Sequence, residues 1–125
     1  MILDTNAVSD LAENVSEIVR AARSSHILFL PVIALGEYRF GILASRHRRL
    51  YEEWLGIFLP TVTLLDVQAE TAVLYAIIGD ELCRLGRPIP DNDIWIAALG
   101  RQHRLPILSN DTHFDAISGI RRIGW

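Results

Sequence analysis

Short apolar runs and longer segments of helical periodicity alternate along the chain. The apolar runs have the composition of buried strands and lie at 1–3, 27–30, 62–65, 106–108 and 121–123. The longer segments predict helices over 32–43, 47–58 and 67–85, and one from about 91 to about 103. This alternation indicates an α/β fold in which a mostly parallel sheet of four to five strands carries helices on both faces.

Length and composition predict a single domain over residues 1–125. The chain is 50% hydrophobic and contains no internal repeat or flexible linker. No apolar run approaches the roughly 20 residues that span a bilayer, and no basic region precedes the first run, so we expect a cytoplasmic protein without membrane attachment. Cys83 is the only cysteine, which excludes an internal disulfide and a cysteine-based zinc site, and we expect it to pack.

The charge of the chain limits how it could bind a polyanion. The formal net charge is −3, which argues against binding through bulk positive charge. All 12 basic residues are arginine, a composition that suits bidentate phosphate contacts but also follows from genomic base composition. Binding of a polyanion through a local basic patch is therefore still an alternative. The densest basic stretch of the chain is 46–49.

Two aspartates follow predicted strands directly. Asp4 comes directly after the first strand and is followed by Thr5 and Asn6. Asp111 comes shortly after the fourth strand, two residues beyond Ser109. In open α/β sheets the binding crevice lies outside the carboxyl ends of the strands, so both acids are candidates for a site. The alternative for Asp4 is an N-cap of the helix that follows it.

Glu37 interrupts an apolar row in the predicted helix 32–43. At helical spacing it shares a face with Ile33 and Phe40, so we expect its carboxylate to be buried. A buried carboxylate must be paired, protonated or bound to metal. Arg39 faces elsewhere, although a distant arginine could still form a structural ion pair.

Two acids begin the helix predicted from about residue 91. Capping and the helix dipole explain one acid at a helix start without any further function. We assign that capping role to Asp91 and the functional role to Asp93, because Asp93 leads at helical spacing to Ala97 on the inward face. Asp115, just after Phe114, is the weakest candidate acid.

Carboxylates that converge on one crevice need a cation, because their mutual repulsion and burial would otherwise raise their pKa values. Oxygen ligands without histidine or cysteine at zinc-like spacing select Mg²⁺, with Mn²⁺ as a substitute. Such a site activates a water molecule and neutralises charge on a phosphodiester. The acids therefore predict a metal-dependent nuclease.

Four segments of the chain together resemble the PIN-domain ribonucleases of the VapC toxin type. They are Met-Ile-Leu-Asp-Thr-Asn at 1–6, Val-Ile-Ala-Leu-Gly-Glu-Tyr-Arg-Phe-Gly-Ile at 32–42, Pro-Asp-Asn-Asp-Ile-Trp-Ile-Ala-Ala at 90–98 and Leu-Ser-Asn-Asp-Thr-His-Phe at 108–114. Each motif is short, but their order along a domain-sized chain is specific. The chain departs from the family pattern at His113, where an acidic residue is common.

The resemblance implies a PIN-like fold and a magnesium-dependent endoribonuclease that inhibits translation by cutting tRNA or rRNA. It implies a homodimer and a hetero-oligomer with a VapB-type antitoxin, whose C-terminal segment would occupy the catalytic groove. It also assigns roles to individual residues. The implied metal ligands are Asp4, Glu37, Asp93 and Asp111, and the supporting residues are Thr5, Asn6, Asp91, Ser109 and Asp115.

Three other functions remain as alternatives. A housekeeping PIN-domain nuclease would need no antitoxin, and a catalytically silent binding module would use the same fold without the acids. An aspartyl-phosphate phosphatase also places a nucleophilic aspartate after its first strand. That chemistry usually needs a second acid two residues later, where this chain has Asn6, and the chain has no lysine to support a phosphate.

Overall fold

Five short strands form one fully parallel sheet at the centre of the molecule. The structure is a computed structural model that describes all 125 residues. The strands are β1 (Ile2–Leu3), β2 (Phe29–Pro31), β3 (Thr63–Leu65), β4 (Ile107–Leu108) and β5 (Arg122–Ile123). The predicted strands agree with these bounds to within two residues.

Six α-helices flank the sheet, which confirms the predicted α/β architecture. They are α1 (Thr5–Ala12), α2 (Ser16–Arg23), α3 (Val32–Leu43), α4 (Arg48–Phe58), α5 (Ala69–Arg84) and α6 (Asp91–His103). Short 3₁₀ helices cover Leu59–Thr61 and Thr112–Ala116. Helix α2 has no counterpart among the predicted elements. No helix is both long and apolar enough to cross a lipid bilayer.

The strand order is β3-β2-β1-β4-β5, so the chain leaves β1 toward one side of the sheet and later returns to the other side at β4. Loops that diverge from neighbouring strands open a crevice at their carboxyl ends. The register pairs Leu3 with Leu108, which sets Asp4 beside Ser109. The Asp4 amide continues the ladder by donating to the Leu108 carbonyl at 3.2 Å.

The central strands β1 and β4 are wholly apolar because the core covers them on both faces. Ile2, Leu3, Ile107 and Leu108 are fully buried in one cluster of 24 hydrophobic residues. Helix α6 packs closely on this core at Gly100. A Cβ atom there would lie 3.2 Å from the Ile107 side chain, so glycine permits the close approach that fixes α6 and its first turn.

Two predictions of burial are wrong. The buried side of α3 is formed by Ala34, Tyr38 and Ile42, while Phe40 is 80% exposed. Glu37 therefore lies at the boundary of the core and is only half-buried. Cys83, which the helical pattern predicts to pack, is exposed on α5.

Candidate metal centre

Asp4 is held rigidly at the end of β1. It caps α1, with Oδ1 accepting the Thr5 amide at 2.7 Å. Its Oδ2 accepts from the Asn6 amide group at 2.9 Å and from the Ser109 hydroxyl at 2.7 Å. The two interpretations of this residue, helix cap and site residue, are thus compatible, because capping leaves a lone pair on Oδ1.

Burial dominates the electrostatics of Asp4. The side chain has only 4% exposure, and the loss of solvent raises its pKa to about 6. The Ser109 and Thr5 hydrogen bonds favour the ionised form, whereas the nearby carboxylates of Asp93 and Glu37 raise the pKa further. A carboxylate in this position is one that a cation would stabilise.

Asp93 and Asp111 meet at His113. Asp93 lies in the first turn of α6 and Asp111 follows β4. The imidazole Nδ1 of His113 lies 3.0 Å from Asp93 Oδ2 and 3.1 Å from Asp111 Oδ1. Burial raises the pKa of Asp93, although His113 opposes that shift, and the contact with Asp93 raises the pKa of His113.

Glu37 reaches the cluster from α3. Its Oε1 accepts the hydroxyl of Thr5 at 3.1 Å, which ties it to the residue that follows Asp4. A groove of about 340 Å³ opens beside Glu37 and Thr5. It is lined further by Ser9, Glu13, Tyr38, Gly41, Ile42, Ser45 and Tyr51.

The predicted supporting residues fall into two groups. Thr5, Asn6 and Ser109 bond directly to the candidate ligands, and the buried Ser109 hydroxyl also accepts the Asp111 amide at 2.9 Å. The structure does not bring Asp91 or Asp115 into this network. Their oxygens are engaged elsewhere.

Asp91 does not cap α6, contrary to the prediction. Pro90 occupies the N-cap position without a side-chain bond, and the exposed Asp91 accepts the hydroxyl of Tyr75 at 3.0 Å. The two aspartates nevertheless face different sides of α6, as predicted: Asp91 is exposed and Asp93 is half-buried.

Asp115 forms an ion pair instead of joining the cluster. Both of its oxygens accept from Arg122, at 2.8 and 2.9 Å. Arg122 also donates to the Ser109 carbonyl at 3.1 Å, so the pair braces the strand end behind the site. Asp115 therefore has a cationic partner of its own, which the four candidate ligands lack among the arginines.

His113 is the member of the cluster that the sequence does not predict as a site residue. A signal for it exists, since Asp111 precedes a short helical turn and can accept the amide two residues on. That bond forms, from His113 N to Asp111 Oδ1 at 2.9 Å. It turns the imidazole toward the carboxylates.

The donor set fits a divalent cation. One donor atom from each of Asp93, Asp111 and His113 lies within 4.8 Å of the others, and Asp4 and Glu37 adjoin them through Ser109 and Thr5. None of the four acids forms an ion pair with an arginine. Clustered carboxylates that have no arginine or lysine among them have the chemistry of a hard-metal site.

Comparison with known proteins identifies the family. A model described as "PIN domain" matches residues 1–120. Ribonuclease VapC5 of Mycobacterium tuberculosis is 30% identical over 94 residues, which are 74% of this chain and 70% of that protein. Toxin FitB of Neisseria gonorrhoeae is 31% identical over 124 residues, 90% and 88% of the two chains.

Solved structures give the same result for the fold. A chain from the DNA-bound VapBC structure of Salmonella typhimurium superposes with a TM-score of 0.89 at 26% identity. The match covers 99% of this chain and 96% of that one. The protein described here therefore belongs to the PIN-domain family, and within that family it is of the VapC type. The resemblance noted from its four motifs is confirmed.

Proposed function

We propose that the protein is a divalent-metal-dependent endoribonuclease and the toxin of a VapB–VapC pair. One observation carries the proposal: the carboxylates of Asp4, Glu37, Asp93 and Asp111 lie together at the switch point of the sheet, and none of them pairs with an arginine. The switch point is the crevice at the carboxyl ends of β1 and β4, from which the chain leaves in opposite directions. Relatives are named ribonucleases, and one is named a toxin. Neither RNA nor DNA is selected by the acids themselves, so RNA as substrate rests on these relatives.

Asp4, Glu37 and Asp93 would hold the metal, and Asp111 would assist directly or through water. Oxygen donors favour Mg²⁺, with Mn²⁺ as a substitute. When bound, such an ion lowers the pKa of a water molecule and neutralises charge that builds on a phosphodiester. The expected products carry a 5'-phosphate and a 3'-hydroxyl.

The chain's own residues prepare the acids for this role. Ser109 and Asn6 occupy Asp4 Oδ2, so its Oδ1 is the atom with a free lone pair. Thr5 fixes one oxygen of Glu37 and leaves the other unbonded. These bonds fix the orientation of the acids, so little reorganisation is needed when the metal and the phosphate enter.

An antitoxin partner completes the proposal. The similar solved structures include VapBC complexes, two of them bound to DNA. We propose that a VapB-type antitoxin places its C-terminal segment in the groove beside Glu37, within a hetero-oligomer built on a toxin homodimer. In the absence of antitoxin, cleavage of tRNA or rRNA would then inhibit translation.

Cleavage by purified variants tests the nuclease assignment. Asp4→Asn and Asp93→Asn should each lower the rate of Mg²⁺-dependent cleavage of tRNA or rRNA at least about a hundredfold, since each removes a charge that acts on the reacting centre. Asp80→Asn is the matched control, because Asp80 is an exposed acid paired with Arg84 on α5. Retained cleavage in both site variants would contradict the proposal.

The product ends distinguish the alternatives. A 5'-phosphate on every fragment supports hydrolysis by water, whereas a 2',3'-cyclic phosphate would point to attack by the ribose hydroxyl. A catalytically silent binding module would cleave no RNA and would show no carboxylate-dependent Mg²⁺ binding. A housekeeping nuclease would cut RNA without arresting growth of the host when expressed alone.

A further inference from the structure

His113 brings an imidazole nitrogen into the acidic cluster. Its Nδ1 contacts Asp93 Oδ2 and Asp111 Oδ1, and it stands with these two residues as a group of three donors within 4.8 Å. His103, which ends α6, contacts neither acid. The cluster thus contains a nitrogen donor in addition to its oxygens.

The orientation of the imidazole is imposed by the backbone. Asp111 accepts the His113 amide at 2.9 Å and the Ser109 hydroxyl accepts the Asp111 amide, so the turn around Asp111 is fixed at both ends. The ring is 46% exposed, which leaves space on its open side for a metal and its waters. Nδ1, rather than Nε2, faces the carboxylates.

We propose that His113 is a metal ligand through Nδ1, so that this protein binds its cation with mixed oxygen and nitrogen donors. The inference rests on the metal site of the proposed function and adds a ligand to it. The imidazole Nδ1 lies beside Asp93 and Asp111, so one ion could be bound by all three side chains.

A nitrogen ligand changes which ion the site prefers. Mg²⁺ is a hard ion that favours oxygen, whereas affinity for imidazole-containing sites rises from Mn²⁺ along the first transition series. The site should therefore favour Mn²⁺ over Mg²⁺ more strongly than an all-oxygen site would. His113→Asn provides the comparison, because its amide oxygen occupies roughly the position of Nδ1.

The direct test is the magnetic coupling between bound Mn²⁺ and the histidine nitrogen. Wild-type protein labelled with ¹⁵N-histidine is loaded with Mn²⁺ and measured by pulsed electron paramagnetic resonance. The pH is kept well above the ordinary imidazole pKa of about 6.5, because the contact with Asp93 raises the pKa of His113. We expect a ¹⁵N coupling that is absent in His113→Asn and retained in His103→Asn, the matched control. A parallel calorimetric titration should show that His113→Asn lowers the Mn²⁺-to-Mg²⁺ affinity ratio at least about tenfold.

Each outcome bears on a different claim. Bound Mn²⁺ without nitrogen coupling, together with an unchanged affinity ratio, would overturn the role of His113 and leave the carboxylate site of the proposed function standing. Failure of Mn²⁺ to bind the wild-type protein would overturn both. Circular dichroism of His113→Asn establishes that the variant is folded before its metal binding is interpreted.

Discussion

Acids at the sheet edge and acids on the outer helices differ in one respect: only the latter have arginine partners. Five arginine–carboxylate ion pairs are present, and three of them span one helical turn on α4 or α5. None includes Asp4, Glu37, Asp93 or Asp111. Other acids, such as Glu70, also lack an arginine, but they are exposed to solvent. The four candidate ligands differ because they lie together and are at least partly buried.

The difference matters energetically because the four candidate ligands are more buried than the acids that pair with arginine. Asp4 is 4% exposed, whereas the Glu53 side chain, paired with Arg49, is 61% exposed. Exposed pairs contribute little to stability, so their loss is tolerated. A buried, unpaired carboxylate opposes folding when it is ionised. The acidic edge should therefore destabilise the metal-free protein.

The largest expected effect on stability is a gain, from Asp4→Asn in the metal-free protein. The folded pKa of Asp4 is raised to about 6 from an ordinary 3.8, so its contribution to stability is complete below about 3.8 and is lost as pH rises through about 6. An amide does not ionise and avoids that loss. At 1.36 kcal/mol per pKa unit, the unfolding free energy of the variant relative to wild type should rise by about 3 kcal/mol between about pH 4 and pH 7.

Urea unfolding in the presence of a chelator, over a series of pH values, measures this gain. The difference in unfolding free energy between Asp4→Asn and wild type should grow between about pH 4 and pH 7, the interval set by the two pKa values. Asp80→Asn, which changes an exposed and paired acid, should show no comparable growth. A pH-independent difference for Asp4→Asn would contradict the assigned cost of burial.

A smaller effect, of opposite sign, is expected from Arg122→Gln. This change removes the two bonds to Asp115 and the bond to the Ser109 carbonyl. Because Asp115 is half exposed, the loss should be about 1 kcal/mol of unfolding free energy. The same urea titration should find a change within about 0.5 kcal/mol for Arg49→Gln, whose side chain is 95% exposed. Equal effects of the two changes would contradict the claim that the Arg122–Asp115 pair stabilises the fold more than the exposed Arg49–Glu53 pair does.

Much of the fold was predictable because its strands and helices differ in periodicity. The apolar runs become buried parallel strands, and α3 and α6 begin and end as their patterns indicate. Helix α2 was missed because it has only eight residues, half of them polar, which give too short a pattern. The exposure of Phe40 could not be foreseen, because helical spacing defines a shared face but not which face meets the core.

The part of the site that lies at strand ends was predictable, because the order of strands and helices determines where those ends meet. Asp4 and Asp111 follow strands on either side of the switch point, which is a rule of parallel sheets. The argument for Glu37 from deep burial was wrong, although the structure does place this residue beside Thr5. The contact of His113 with two acids depends on a turn of the backbone, and spacing along the sequence does not reveal it.

The central claim is that the acidic edge lacks a cation that the protein must acquire. Calorimetric titration of the metal-free wild-type protein with Mg²⁺ tests it most directly, alongside Asp93→Asn and Asp80→Asn. The account predicts saturable binding in wild type and Asp80→Asn, and at least about tenfold weaker binding in Asp93→Asn. Equal binding by all three proteins, or no binding by any of them, would contradict it.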